Sequence, residues 1–135
     1  MVALEVWYNQ MPGNDFGEGD SAIIVNTVDE LAALIDRVRS ESDVVDGGAA
    51  IQVAIAGDED SPVLEVGLGR MKGFITYHSE DGGQTLGDGD PAQIVEYTYM
   101  GQVTEMSAAV EVSINEVRAG LLEFFETGGK PAIVR

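Results

Sequence analysis

Cysteine is absent from the chain, which removes disulfides, thiolate metal sites and any thiol nucleophile. That suits a reducing cytoplasm. Histidine occurs once, as His78, inside the strand-like run Phe74-Ile75-Thr76-Tyr77-His78. No nucleophile motif accompanies it, so a half-buried structural role is expected there rather than general-base chemistry. Positive charge is scarce: 7 basic residues, only Lys72 and Lys130 of them lysines, face 24 acidic ones, for a formal charge of −17. A field of that sign repels nucleic acid and anionic membranes and speeds the capture of basic partners. Direct binding of DNA or RNA normally needs a basic patch and is excluded as the expectation. No basic region precedes the alternating run at Met1 to Gln10, so it does not read as a secretion signal. No apolar stretch approaches the roughly 20 residues needed to cross a bilayer.

What is present is a globular composition, 44% hydrophobic over 135 residues. That length fits one domain, residues 1–135, able to bury roughly two-thirds of its unfolded surface without staples. Val2, Leu4, Val6 and Tyr8 form one face of a first strand, with Ala3, Glu5 and Trp7 on the other. Gln10 to Ser21, with Pro12 and several glycines, reads as a loop, and Ala22 to Val25 as a second strand. Thr27 and Glu30 make a capping box, and apolar residues follow at Val28, Leu31, Leu34, Ile35 and Val38 at helical spacing. This helix should fade between Ser40 and Asp43.

Strands are expected at Ala50–Ala56, Val63–Leu68, Gly73–His78 and Gln93–Met100, and more weakly at Gln102–Met106 and Val110–Val112. Asp58 to Pro62 and Gly67 to Lys72 have turn chemistry, and Glu80 to Pro91 is a longer acidic, glycine-rich loop. A second capping box, Ser113 and Glu116, opens a helix with Ile114, Val117, Leu121, Phe124 and Phe125 toward the core. Gly128-Gly129 and Pro131 stop it, and Ala132 to Val134 reads as a closing strand. The expected class is α+β: a mainly antiparallel sheet with two helices packed on one face.

Catalytic and ligand motifs are thin. Gly67, Gly69 and Gly73 lack the spacing of a phosphate loop and precede a strand rather than a helix. The pairs Asp58/Asp60 and Asp88/Asp90 could hold a hard cation weakly, but neither loop matches the twelve-residue calcium pattern, and solvated turns explain them. No cofactor is expected. Tyr97 and Tyr99 share a strand face and are expected to pack, whereas Trp7 stands opposite the apolar series of its own strand.

The segment Val112-Ser113-Ile114-Asn115-Glu116-Val117-Arg118-Ala119, running into Glu123-Phe124-Phe125-Glu126-Thr127-Gly128-Gly129-Lys130-Pro131, resembles the closing signature of immunity family one of bacterial polymorphic toxin systems. The capped Val28-Asp29-Glu30-Leu31 helix and the Gly67-Leu68-Gly69 turn before an aromatic strand agree in order. Similar proteins often carry a tryptophan in the last strand, where this chain ends in Val134-Arg135. The resemblance implies a cytoplasmic antidote, without catalytic activity, that binds a cognate secreted toxin domain, often a nucleic-acid deaminase or nuclease. The charge agrees, because a protein that grips nucleic acid presents a basic cleft that an acidic antidote can occupy. Steering could raise association above the roughly 10⁵–10⁶ M⁻¹s⁻¹ of uncharged pairs, while tight binding would still need an apolar or aromatic anchor.

The expected partner-binding residues are therefore the loop acids Asp58, Glu59, Asp60, Glu80, Asp81, Asp88 and Asp90, with Trp7 as anchor. Two other readings fit the residues: a small enzyme using convergent carboxylates or a weak metal site, and a regulatory or scaffold domain whose acidity is a habit of its proteome.

Overall fold

A computed structural model describes residues 2–7, 23–41, 48–69, 71–80, 82–99 and 102–135. Tyr8, the loop expected from Gln10 to Ser21, and Asp81 lie outside them. Two short strands, β1 (Leu4–Trp7) and β2 (Ile23–Val25), lead into helix α1 (Val28–Glu41). Three strands follow in a meander: β3 (Gly48–Ile55), β4 (Val63–Leu68) and β5 (Lys72–His78). The hairpin β6 (Ile94–Tyr99) and β7 (Gln102–Ser107), a 3₁₀ turn at Ala108–Val110, β8 (Val112–Ser113) and helix α2 (Ile114–Thr127) complete the order.

The strands join in one eight-stranded sheet along the path β2-β1-β3-β4-β5-β8, with the β6–β7 hairpin branching from β3. Every pairing is antiparallel except β3 with β6, which run parallel at Gly48↔Tyr97 and Ala49↔Thr98. The class is α+β, as the order of elements implies.

Alternation decides the two faces of the sheet. Leu4, Val6, Ala49, Ile51, Val53, Leu64, Val66, Leu68 and Ile75 point to one side and are almost fully buried. Both helices lie on that side. α1 contributes Leu31, Leu34, Ile35 and Val38, and α2 contributes Val117, Leu121, Phe124 and Phe125 to the same core. Full burial of a side chain such as Phe124 or Phe125 contributes about 1.5–3 kcal/mol, so α2 is held mainly by its apolar stripe. Arg118 also reaches from α2 to Asp36 of α1 at 2.9 Å.

At both helix starts the cap hydroxyl acts as its sequence suggests. Thr27 Oγ1 accepts from the Glu30 N–H at 3.1 Å, and Glu30 reaches back to accept from the Asn26 N–H at 3.3 Å. Ser113 Oγ accepts from the Glu116 N–H at 3.2 Å, and α2 ends on Gly128, whose left-handed conformation (φ 71) lets its N–H reach the Phe124 carbonyl.

The opposite face carries a smaller apolar cluster of Ala50, Phe74, Tyr97 and Val110, with Val95 and Met106 packed against it. The Phe74 and Tyr97 rings meet edge to face, 4.8 Å between centroids. Here the structure corrects the expected turn from Gly67 to Lys72. Gly67 and Leu68 belong to β4, and Lys72 belongs to β5. A Cβ at Gly67 would sit 2.3 Å from Phe74 Cε1 and 2.7 Å from Tyr97 Cε1, so the glycine serves ring packing.

The weaker strand at Gln102–Met106 is present as β7, whereas two other expected strands, Val110–Val112 and Ala132–Val134, are corrected. Val110 closes the 3₁₀ turn, which Ser107 caps by accepting from the Ala109 N–H, leaving only Val112–Ser113 as strand. Ala132 to Val134 is a turn, closed by Val134 N–H to the Pro131 carbonyl, that keeps one bridge, Thr85↔Val134. Among the described residues no helix is long and apolar enough to cross a membrane.

Candidate partner-binding surface

The expected acids fall into two groups at opposite ends of β5. The β3–β4 turn holds Asp58, Glu59 and Asp60, all exposed. Val63, the first residue of β4, pairs with His78, the last of β5, so exposed Glu80 lies at the same end. The chain then doubles back along β5. Tyr77 N–H donates to the Gly83 carbonyl, Gln84 bridges to Thr76, and Thr85 N–H donates to the Ile75 carbonyl. Buried Thr85 fastens this return, its hydroxyl accepting from the Ile75 N–H and donating to the Val110 carbonyl at 2.6 Å. Asp88 and Asp90 emerge at the far end, roughly 20 Å away at about 3.3 Å per residue along β5.

Local chemistry explains how the acids are displayed. Asp58 Oδ1 accepts from the Asp60 N–H at 2.9 Å, and Asp90 Oδ1 accepts from the Ala92 N–H at 2.9 Å. In each pair, then, one carboxylate shapes a turn of the kind aspartate favours. Gly87 and Gly89 press against the Glu111 and Ala108 carbonyls, where a Cβ would come within 1.9 and 2.2 Å, while Asp88 and Asp90 between and after them are exposed.

Trp7 ends β1, one strand in from the β2 edge of the sheet, on the face away from the helices, and is partly buried. The registers place it in a row with Gln52, Glu65, Thr76 and Gln84 across five neighbouring segments. His78 departs from expectation: its side chain is 56% exposed, with Nε2 3.6 Å from Glu65 Oε2. An open depression of about 580 Å³ beside it is lined by Thr76, Gln84 and Arg135 among others and, among the described residues, by no Asp or Glu side chain. Among the described residues no group of three or more histidine, aspartate or glutamate side chains could hold a metal ion.

Sequence reasoning did not single out the β6–β7 hairpin. Its inner face, Val95, Tyr97 and Met106, covers Ala50 and Phe74. Burial pushes the Tyr97 hydroxyl far above its ordinary pKa, and its hydrogen bond to Glu111, 2.6 Å long, pushes in the same direction. The outer face brings Glu96 directly opposite Glu105, with Ile94 opposite Ser107 and Thr98 opposite Val103. Both glutamates are exposed, as are Ile94 and Val103 at 56% and 55%. The signal was available: two residues separate Tyr99 from Gln102, and a two-residue connection fixes the register of a hairpin.

No match was found among curated proteins. A family model described as immunity protein Imm1 matches residues 19–135, which span both helices and seven of the eight strands. The chain therefore belongs to the Imm1 family of immunity proteins.

Proposed function

We propose that this chain neutralises a cognate toxin domain, one that acts on nucleic acid as a deaminase or nuclease, by binding it one to one and covering its basic active site. It does so as a single domain and without turnover, in the cytoplasm where such a toxin would act. What supports this most is the formal charge of −17 on a member of an immunity family. Acids are displayed at both ends of β5, at Asp58, Glu59, Asp60 and Glu80 and at Asp88 and Asp90, and Trp7 offers an aromatic contact on the sheet face away from the helices. An anionic surface of this kind stands in for the phosphates that a basic cleft is built to meet, and it accelerates encounter at low salt.

The test is to purify the toxin domain encoded beside this chain and titrate its activity with the antidote. Activity should vanish at a one-to-one ratio, and the two proteins should co-elute as a heterodimer. Full toxin activity in the presence of excess chain, with no complex, would sink the reading.

A further inference from the structure

We propose that the outer face of the β6–β7 hairpin anchors the toxin complex, and that it takes a protein surface presenting an arginine or lysine ringed by apolar side chains. The proposal rests on the immunity reading and names the surface that reading leaves open. Three observations meet on this face.

Among the described residues β7 pairs with β6 alone, and while the inner side of the hairpin is buried on Phe74 and Ala50, Glu96 and Glu105 stand exposed on the outer side, next to buried Thr98. The outer side exposes apolar surface: Ile94 and Val103 stand on different strands of the same face, one on each side of the central pair. Finally, that central pair is Glu96 opposite Glu105. Like charges directly opposite each other weaken a ladder, and among the described residues neither carboxylate has an ion-pair partner.

A cation placed between the two carboxylates turns the repulsion into attraction. The guanidinium of arginine suits the site, because its planar fork can donate to both carboxylates at once. Ile94 and Val103 would exclude water from that contact, which strengthens it. Asp88 and Asp90 lie at the root of the hairpin, where Ser107 Oγ donates to the Pro91 carbonyl at 3.0 Å and Ala108 N–H to the Gln93 carbonyl at 2.9 Å. They extend the anionic surface as a rim, the usual surround of an interface anchor. Tyr97, tied to Glu111, holds the hairpin in place before binding, so little ordering is left to occur in the complex.

The experiment measures association and dissociation rates of the complex with the adjacent toxin domain for three double variants. Glu96→Lys/Glu105→Lys keeps a like-charge pair in the ladder but reverses its sign; Ile94→Thr/Val103→Thr removes the apolar contact; Glu59→Lys/Asp60→Lys is the remote charge control. Both hairpin variants should dissociate at least about 30-fold faster than the unaltered chain, while the control should act mainly on association. Hydrogen exchange on the unaltered complex adds a readout that needs no variant: amides of residues 94–107 should gain protection. If the unaltered chain binds, but both hairpin variants dissociate within about threefold of it or those amides gain no protection, the anchor is overturned and the immunity reading stands. If the unaltered chain does not bind, both fall.

Discussion

The hydroxyl of Tyr97 donates a 2.6 Å hydrogen bond to a carboxylate oxygen of Glu111, joining the β6–β7 hairpin to the segment that leads into α2. Tyr97 is 3% exposed, and its ring fills the space that glycines leave open at positions 48 and 67. One residue thus closes the second apolar cluster and fastens the hairpin that displays Glu96 and Glu105.

Replacing Tyr97 with phenylalanine keeps the ring and removes the bond. Loss of a hydrogen bond to a charged acceptor at a partly buried site should cost about 1–2 kcal/mol, read as a lower urea midpoint with unchanged slope. The pH dependence has a definite sign. Burial raises the Tyr97 pKa in the folded state above its ordinary value, so the unfolded chain gives up this proton first. The contribution is therefore complete below about pH 10 and is lost as pH rises past that value. The unaltered chain should lose stability more steeply than Tyr97→Phe above about pH 10, and parallel alkaline unfolding curves would contradict this assignment.

Gly67→Ala tests the ring packing directly. The new methyl would lie 2.3 Å from Phe74 Cε1 and 2.7 Å from Tyr97 Cε1, with β4 paired on both sides. Overpacking of that kind typically costs about 1–3 kcal/mol. Because the clash is with Phe74, Gly67→Ala combined with Phe74→Leu should lose less than the two single changes added together, as a double-mutant cycle by chemical denaturation would measure. Strict additivity would place the strain elsewhere.

These contacts mark the boundary of what could be read without coordinates. Both helices were legible because caps and apolar stripes are local: Thr27 with Glu30 and Ser113 with Glu116 act where the pattern puts them. The β3–β5 meander was legible for the same reason, but the strand at Gln93–Met100, expected to continue it, is β6 and pairs with β3 and β7 instead. The parallel pairing of Gly48 with Tyr97 was not legible, since it joins residues 49 positions apart in sequence. Gly67 looked like a turn residue because the rings that occupy its Cβ space, Phe74 on the neighbouring strand and Tyr97 thirty positions away, are brought there only by the pairing of the strands. The acids Asp58, Glu59, Asp60, Glu80, Asp88 and Asp90 were all found on exposed turns or loops. Their separation into two groups depends on the return of residues 82–87 along β5, held by Thr85. Glu96 and Glu105 were passed over because each looks like an ordinary outward strand residue until the register sets them face to face.

Ser113 should matter as a helix cap independently of any partner. Its hydroxyl accepts from the Glu116 N–H at the start of the helix that buries Phe124 and Phe125. Ser113→Ala should destabilise the fold by about 1 kcal/mol, and Ser113→Asp should retain most of the stability because aspartate caps as well as serine. Equal losses for the two variants in thermal or urea unfolding would show that the hydroxyl is not acting as a cap.

The acidic turns allow charge and structure to be separated. Asp58 and Asp90 each use a carboxylate oxygen to accept a backbone N–H two residues on, and asparagine offers the same acceptor without the charge. Asp58→Asn and Asp90→Asn should leave stability within about 0.5 kcal/mol, whereas Asp58→Ala and Asp90→Ala should each lose about 1 kcal/mol. Glu59, Asp60, Glu80 and Asp88 have exposed carboxylates, so their reversal to lysine should leave the fold intact and act on encounter with the basic partner. Association at low ionic strength should slow by at least about tenfold on reversal of all four, and the difference should shrink as added salt screens the field. A rate that does not change at low salt would remove both turns from the path of approach.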